Sequence, residues 1–159
     1  LVQLRLVALG QLREGLEVFQ RAFATGGLAL TFVGDEPIGT ARLRVDRALR
    51  PRLERAAAGE RFEPVSGTWV SYARLGVVPE RRGEGHGRRT AEWIEALAQD
   101  LGAETLKVDA RSQQPDNRPF YRAMGFTIDG YSERYGIADI RTHLSKPLSH
   151  CNPTPQGRS

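Results

Sequence analysis

The sequence predicts one α/β domain of the mixed α+β kind, a single mixed sheet with helices on both faces, and three observations carry that prediction. The length of 159 residues suits one core and is short for two. Segments of two-residue alternation and segments of helical spacing follow one another as β, α, β, β, β, α, β, α, β, β, without repeat or dividing linker. The composition is that of a globular chain, with 40% hydrophobic, 8% aromatic and 26% charged residues.

Val2 to Ala8 alternates Val2, Leu4 and Leu6 with Gln3 and Arg5 and reads as the first strand. Leu12, Leu16, Phe19 and Phe23 then fall on one helical face, and Gly26-Gly27 ends the segment. Leu28 to Val33 and Ile38 to Val45 are β-rich runs joined by Gly34-Asp35-Glu36-Pro37, a hairpin signal. Asp46 to Gly67, rich in Arg and poor in large apolar residues, reads as an exposed insertion with a short helix over Arg52 to Ala58. Thr68 to Val77 returns to strand, Arg88 to Gly102 is helical with Gly102 at the C-terminal cap, and Thr105 to Ala110 is a short strand. Asp116 to Met124 is a short helix, and Phe126 to Tyr135 and Ile137 to Leu144 are the last strands. The domain is expected over residues 1–148, with the insertion at 46–67 and a loose tail at 149–159.

Several function classes are excluded at this level. No segment reaches the roughly 20 apolar residues that cross a bilayer, so no membrane partner is expected. The net charge of +4 suits anionic ligands, but Arg is interleaved with Glu and Asp rather than gathered in a stripe, so no nucleic-acid partner is expected. A single cysteine, Cys151, forms no internal disulfide, and His86, His143 and His150 are too dispersed for a metal cluster. No metal and a cytoplasmic location are the expectations, the first residues lacking the pattern of a signal peptide.

The most informative segment runs from Val77 to Thr90, between a strand and a helix. Gly83, Gly85 and Gly87 let backbone N–H groups approach an anion, and the helix N-terminus adds unpaired donors and its dipole. Neither G-x-x-x-x-G-K-[ST] nor G-x-G-x-x-G fits this spacing. The spacing is R-x-x-G-x-G, formed by Arg82, Gly85 and Gly87 after Val77-Val78-Pro79.

These residues resemble the pyrophosphate loop of the GNAT superfamily of acyl-CoA-dependent N-acetyltransferases. Phe120-Tyr121-Arg122-Ala123-Met124-Gly125-Phe126 is similar to that superfamily's F-Y-x-x-x-G-F and follows in the family order. Gly39-Thr40-Ala41-Arg42-Leu43, Arg74-Leu75-Gly76-Val77 and Gln114 resemble the small bacterial ElaA-like branch. That branch's closing E-x-G-I-P-H is half met, by Glu133, Gly136 and Ile137 but with Ala138-Asp139 in place of Pro-His. The resemblance implies a mostly antiparallel, twisted sheet splayed at the cofactor strand.

It also implies acetyl-CoA as cofactor and acetyl transfer to a primary amine by direct attack on the thioester, on a small-molecule or peptide acceptor. Main-chain groups of Leu75, Gly76 and Val77 would meet the acyl and pantetheine portions. Those of Arg82, Gly83, Glu84, Gly85, His86, Gly87 and Arg88 would hold the pyrophosphate, with Gln114 and Tyr121 also at the cofactor. Tyr121 is the position that in this superfamily protonates the departing thiolate.

A general base is needed as well, and Trp69 to Val77 carries no carboxylate. Glu133 is the candidate taken, with Glu63, Asp139 or a water chain as alternatives, and His86 and His143 are read as positional or packed. The Arg-rich insertion is expected to wall the acceptor site and to favour an amine bearing a carboxylate or phosphate. The alternative function is a catalytically silent acyl-CoA-binding regulatory domain, and a homodimer paired through the C-terminal strands fits either reading.

Overall fold

The computed structural model describes residues 2–7, 26–111, 116–133 and 140–150. Seven strands form one sheet: β1 (Val2–Val7), β2 (Gly26–Val33), β3 (Glu36–Val45), β4 (Trp69–Val77), β5 (Thr105–Arg111), β6 (Thr127–Glu133) and β7 (Ile140–Pro147). Their spatial order is β1-β2-β3-β4-β5-β7-β6. Every neighbouring pair is antiparallel except β4 and β5, which run parallel because a helix connects them. The helices are α1 (Leu53–Ala57), α2 (His86–Leu101) and α3 (Arg118–Ala123). The helix expected over Leu12 to Phe23, which would cover the second face, lies outside the described residues, as do Gln114, Asp139 and Cys151.

Alternation along the strands sorts the sheet into an apolar and a polar face. Ala29, Leu43, Val70, Tyr72, Leu106, Val108 and Leu144 are buried under α2, whose Ile94, Ala98 and Leu101 face them. The Thr31 and Thr90 hydroxyls meet at 2.7 Å between β2 and α2, which pairs two buried polar groups of this layer. Lys146 of β7 donates to Glu95 Oε2 of α2 at 3.1 Å and to the Met124 carbonyl at 2.8 Å, tying α2 and the end of α3 to the sheet. Among the described residues no helix is long and apolar enough to cross a membrane.

The 46–67 segment differs from the exposed insertion expected. Leu49 and Ala56 are buried, and Leu53, Phe62 and Val65 pack on the core. Phe62 N–H donates to the Asp100 carbonyl at 2.8 Å, Val65 N–H to Gly102 at 2.9 Å, and Arg52 Nη1 to Leu101 at 3.0 Å. The segment thus caps the C-terminal end of α2, satisfying carbonyls that a helix leaves unpaired. A 16-residue helix spans about 24 Å, so its arginines and Glu63 sit a helix length away from the glycine loop at the other end. The expected acceptor wall is not formed there, and Glu63 is removed as a base.

Two boundaries also shift. The helix read from Arg88 begins at His86, inside the glycine loop, and the last strand runs to Pro147 because Thr105 pairs with it. The segment expected as a loose tail from Ser149 is docked at its start, where His150 Nε2 lies 2.8 Å from the Ala103 carbonyl.

Gly102 has φ +84°, and a Cβ there would stand 2.3 Å from the Glu63 carbonyl oxygen. Gly102→Ala is expected to lower stability by at least about 2 kcal/mol, read as a shift of the urea midpoint at unchanged m-value.

Candidate active site

The β4–β5 ladder runs from Trp69↔Thr105 to Tyr72↔Val108 and stops there, while β4 continues paired with β3 as far as Val77↔Gly39. The sheet therefore opens between Ala73–Val77 and the end of β5. A bulge lies at the point of opening, where Arg74 and Leu75 together stand opposite Ala41 alone. Arg74 has φ 55°, and it is the only non-glycine residue among those described in the left-handed region. The bulge is a feature the sequence reading missed, because nothing in Ala-Arg-Leu-Gly-Val signals it.

The glycine loop packs against this opening. Gly83 and Gly85 have φ +79° and +83°, conformations that favour glycine, and Gly85 is the N-cap of α2. No side chain caps the helix and no acidic residue occupies its first turn. The first intrahelical bond of this end is Arg89 N–H to Gly85, at 3.1 Å, so the N–H groups of His86, Gly87 and Arg88 remain free for an anion. Arg82 Nε donates to the Val77 carbonyl at 3.1 Å, anchoring the loop to the strand end. The buried His86 ring is held by Glu84 at 2.8 Å and faces Arg89 at 3.3 Å.

A groove of about 560 Å³ joins loop and opening. Leu75, Gly76, Val77, Arg82, Gly83, Gly85, His86, Gly87, Arg88 and Tyr121 line it, which gathers the expected cofactor residues other than Glu84 and the undescribed Gln114. Arg81, Asn117 and Phe120 line it too.

Tyr121 is buried against Tyr72, Phe120 and Phe126, with ring centroids 6.2, 5.1 and 5.7 Å away. Burial pushes its phenol up to about 12, and pushes that of Tyr72 higher still, so both stay protonated across the neutral range. The Tyr72 hydroxyl is buried without a partner.

The model of the acetyltransferase (GNAT) family matches residues 9–126, well over half of the chain. The chain belongs to the GNAT acetyltransferase family. Its fold is similar to that of the ribosomal-protein-S18-alanine N-acetyltransferase of Escherichia coli, with TM-score 0.70 and 11% identity over 96% of this chain and 97% of that one. It is similar to Arabidopsis thaliana Naa50, solved with the bisubstrate analogue CoA-Ac-MVNAL, with TM-score 0.64 and 19% identity over 91% and 97%. A GNAT family acetyltransferase of Elizabethkingia anophelis with acetyl-CoA bound matches with TM-score 0.64 and 14% identity over 92% and 98%.

Acetyl-CoA is the acyl donor of the GNAT family and the cofactor here. The groove fits it: free helix N–H groups and the flanking Arg82 and Arg88 suit a pyrophosphate, and the unpaired edge of β4 suits the amides of a pantetheine arm.

On the sheet face opposite Tyr121, Asp109 is the first residue of β5 beyond the last β4 pairing. Its Oδ1 lies 2.6 Å from His143 Nδ1, and His143 Nε2 lies 2.7 Å from Ser132 Oγ. Since a carboxylate only accepts, Nδ1–H donates to Asp109, leaving Nε2 as the acceptor for the Ser132 hydroxyl. A bulge in β6 at Asp129 creates this contact. The register steps from Ile128↔Leu144 to Gly130↔His143, and the one-residue shift turns Ser132 to the face of His143. The expected base Glu133, one residue on, is thereby turned to the other face at the edge strand. It lines a groove with Arg118, Tyr131 and Ser132, separate from the glycine-loop groove.

Because the folded state favours the neutral phenol of Tyr121, its stabilising contribution is fully present below pH 10 and is lost as pH climbs toward 12. Thermal melts between pH 9 and 12 should show an alkaline loss on the order of 2–3 kcal/mol that Tyr121→Phe removes, leaving the part due to Tyr72.

Proposed function

We propose that this acetyltransferase moves the acetyl group of acetyl-CoA directly onto a primary amine of a small molecule or peptide, with Tyr121 as general acid and His143 as proton acceptor. The observation that carries the reading is the opening between β4 and β5, which has a buried phenol at one face and the Asp109–His143–Ser132 chain at the other. Two of the similar structures are named for N-acetylation or carry a CoA-linked peptide sequence, which supports nitrogen as the acceptor atom.

When bound, acetyl-CoA supplies an acetyl group activated as a thioester and a thiolate leaving group. The N–H groups of His86, Gly87 and Arg88 bind the pyrophosphate, and Arg82 and Arg88 add charge to that contact. Main-chain groups of Leu75, Gly76 and Val77, free of β5, orient the arm and donate to the carbonyl oxygen as it gains negative charge. His143 Nε2 takes the proton that the attacking nitrogen must lose, through Ser132 Oγ or directly, and Asp109 stabilises the imidazolium that results. The Tyr121 hydroxyl gives its proton to the sulfur as the C–S bond breaks. Burial holds the phenol near 12, so it carries its proton across the neutral range until the sulfur departs. Glu133 is left outside this sequence by its placement on the far face of the edge strand.

Calorimetric titration tests the cofactor assignment first: Gly85→Asp with Gly87→Asp should abolish acetyl-CoA binding that the natural chain shows, with ATP ignored by both. For the chemistry, Tyr121→Phe and His143→Ala should each lower kcat by about 10²-fold or more at retained acetyl-CoA affinity. Glu133→Gln should change kcat by no more than a few-fold. Acetyl-CoA binding without turnover on any amine would replace the enzyme by a silent binding domain, and an unchanged kcat in His143→Ala would remove the histidine from the mechanism.

A further inference from the structure

Three arginines from three strands gather at the opening, Arg42 and Arg141 on the face opposite Tyr121. Arg42 of β3 stands opposite Ala73, Arg74 forms the β4 bulge, and Arg141 of β7 lies two residues from His143 on the same face. Arg44 is one step further along β3. Among the described residues none of these four makes an ion pair, whereas Arg55, Arg61, Arg81, Arg88 and Arg118 all do. Asp109, the acid at the same opening, is taken by His143. The Arg42 Nε is shut off from solvent and has no hydrogen-bond partner among the described residues. Burial, followed by the charges of Arg74, Arg44 and Arg141, lowers the pKa of Arg42, so these side chains are close enough to repel one another.

Such an arrangement is costly in the free protein. A buried donor without an acceptor loses its hydration without recompense, and like charges add to the loss. The Arg74 backbone adds strain of its own, since a long side chain in the left-handed region could be replaced there by glycine at no steric expense. A dianion or carboxylate seated among the three would relieve both costs through charge-assisted bonds.

We infer that the acceptor is a small amine bearing a carboxylate or phosphate, whose anionic group is held by Arg42, Arg74 and Arg141 while its nitrogen faces His143. This rests on the acetyl-transfer reading above and names its acceptor class. The same positive field makes the acceptor's ammonium group a stronger acid, which eases the proton transfer to His143. It also disfavours polyamines, whose additional ammonium groups would meet the arginines.

Two assays separate the anion site from the chemistry, the binding assay being run with CoA bound so that the glycine loop does not compete for the probe. The first is calorimetric titration with 2-aminoethyl phosphate, β-alanine, ethanolamine and putrescine. The second is CoA release from acetyl-CoA with the same four amines. The two anionic amines should bind, and should exceed ethanolamine in kcat/KM by at least about tenfold. Arg42→Gln and Arg74→Gly should each reduce that advantage by about 10- to 100-fold. Arg74→Gly should also raise Tm, because it relieves backbone strain and repulsion, so its loss of anion binding cannot be misfolding. Arg141→Gln provides the same readout should Arg42→Gln fail to fold.

Equal turnover of ethanolamine or putrescine, unaltered in the variants, would overturn the inference while leaving acetyl transfer intact. Anion binding lost in Arg74→Gly but with no turnover of any amine would uphold the anion site and reject the reaction. Absence of both binding and preference would overturn the inference outright.

Discussion

Past Tyr72, strand β4 keeps its hydrogen bonds to β3 and gives up those to β5. The chain meets the change with a bulge at Arg74–Leu75, placing an arginine in the left-handed region where glycine would be unstrained. The opening that results is the constraint on which the site depends. It frees one edge of Ala73–Val77 and brings the glycine loop against that edge, where the two form one groove with Tyr121. Ligand sites commonly form where neighbouring strands part, because main-chain donors and acceptors there have no protein partner.

The two faces at the opening are chemically opposite. Tyr72, Tyr121 and Phe126 make one face an aromatic floor under α2 and α3, and that burial holds the Tyr121 proton in place. The other face carries Asp109, His143, Ser132 and the unpaired arginines. A reaction that must remove a proton from one partner and supply one to the other is served by this separation, since acid and base do not neutralise one another across the sheet. Stability is concentrated elsewhere, in the capped end of α2, where residues 46–67 pack and pair. Rigid packing at that end leaves the loop end with unpaired donors, as ligand binding requires.

The strand and helix order, the Gly102 cap and the glycine loop were legible in the sequence, because each depends on short-range periodicity or on residues with unusual backbone freedom. The Phe120-Tyr121 helix was legible through a local motif, and the structure brings it to the loop. Residues 46–67 look polar by composition, yet Leu49, Leu53, Ala56, Phe62 and Val65 pack into the core. The faces that Ser132 and Glu133 meet were not legible either, because the Asp129 bulge shifts the register of β6 against β7 by one residue.

By itself, then, the sequence determined the class of fold, the glycine loop and the tyrosine on the short helix, all written in contiguous residues. The tertiary structure alone decided which side chains stand at the opening. Asp109, Ser132 and His143 come from three strands, as do Arg42, Arg74 and Arg141, and a single-residue bulge sets the face of Ser132. The physical reason is the period of two along a strand: one inserted residue reverses every side chain beyond it, and only the pairing of strands distant in sequence reveals where that insertion falls.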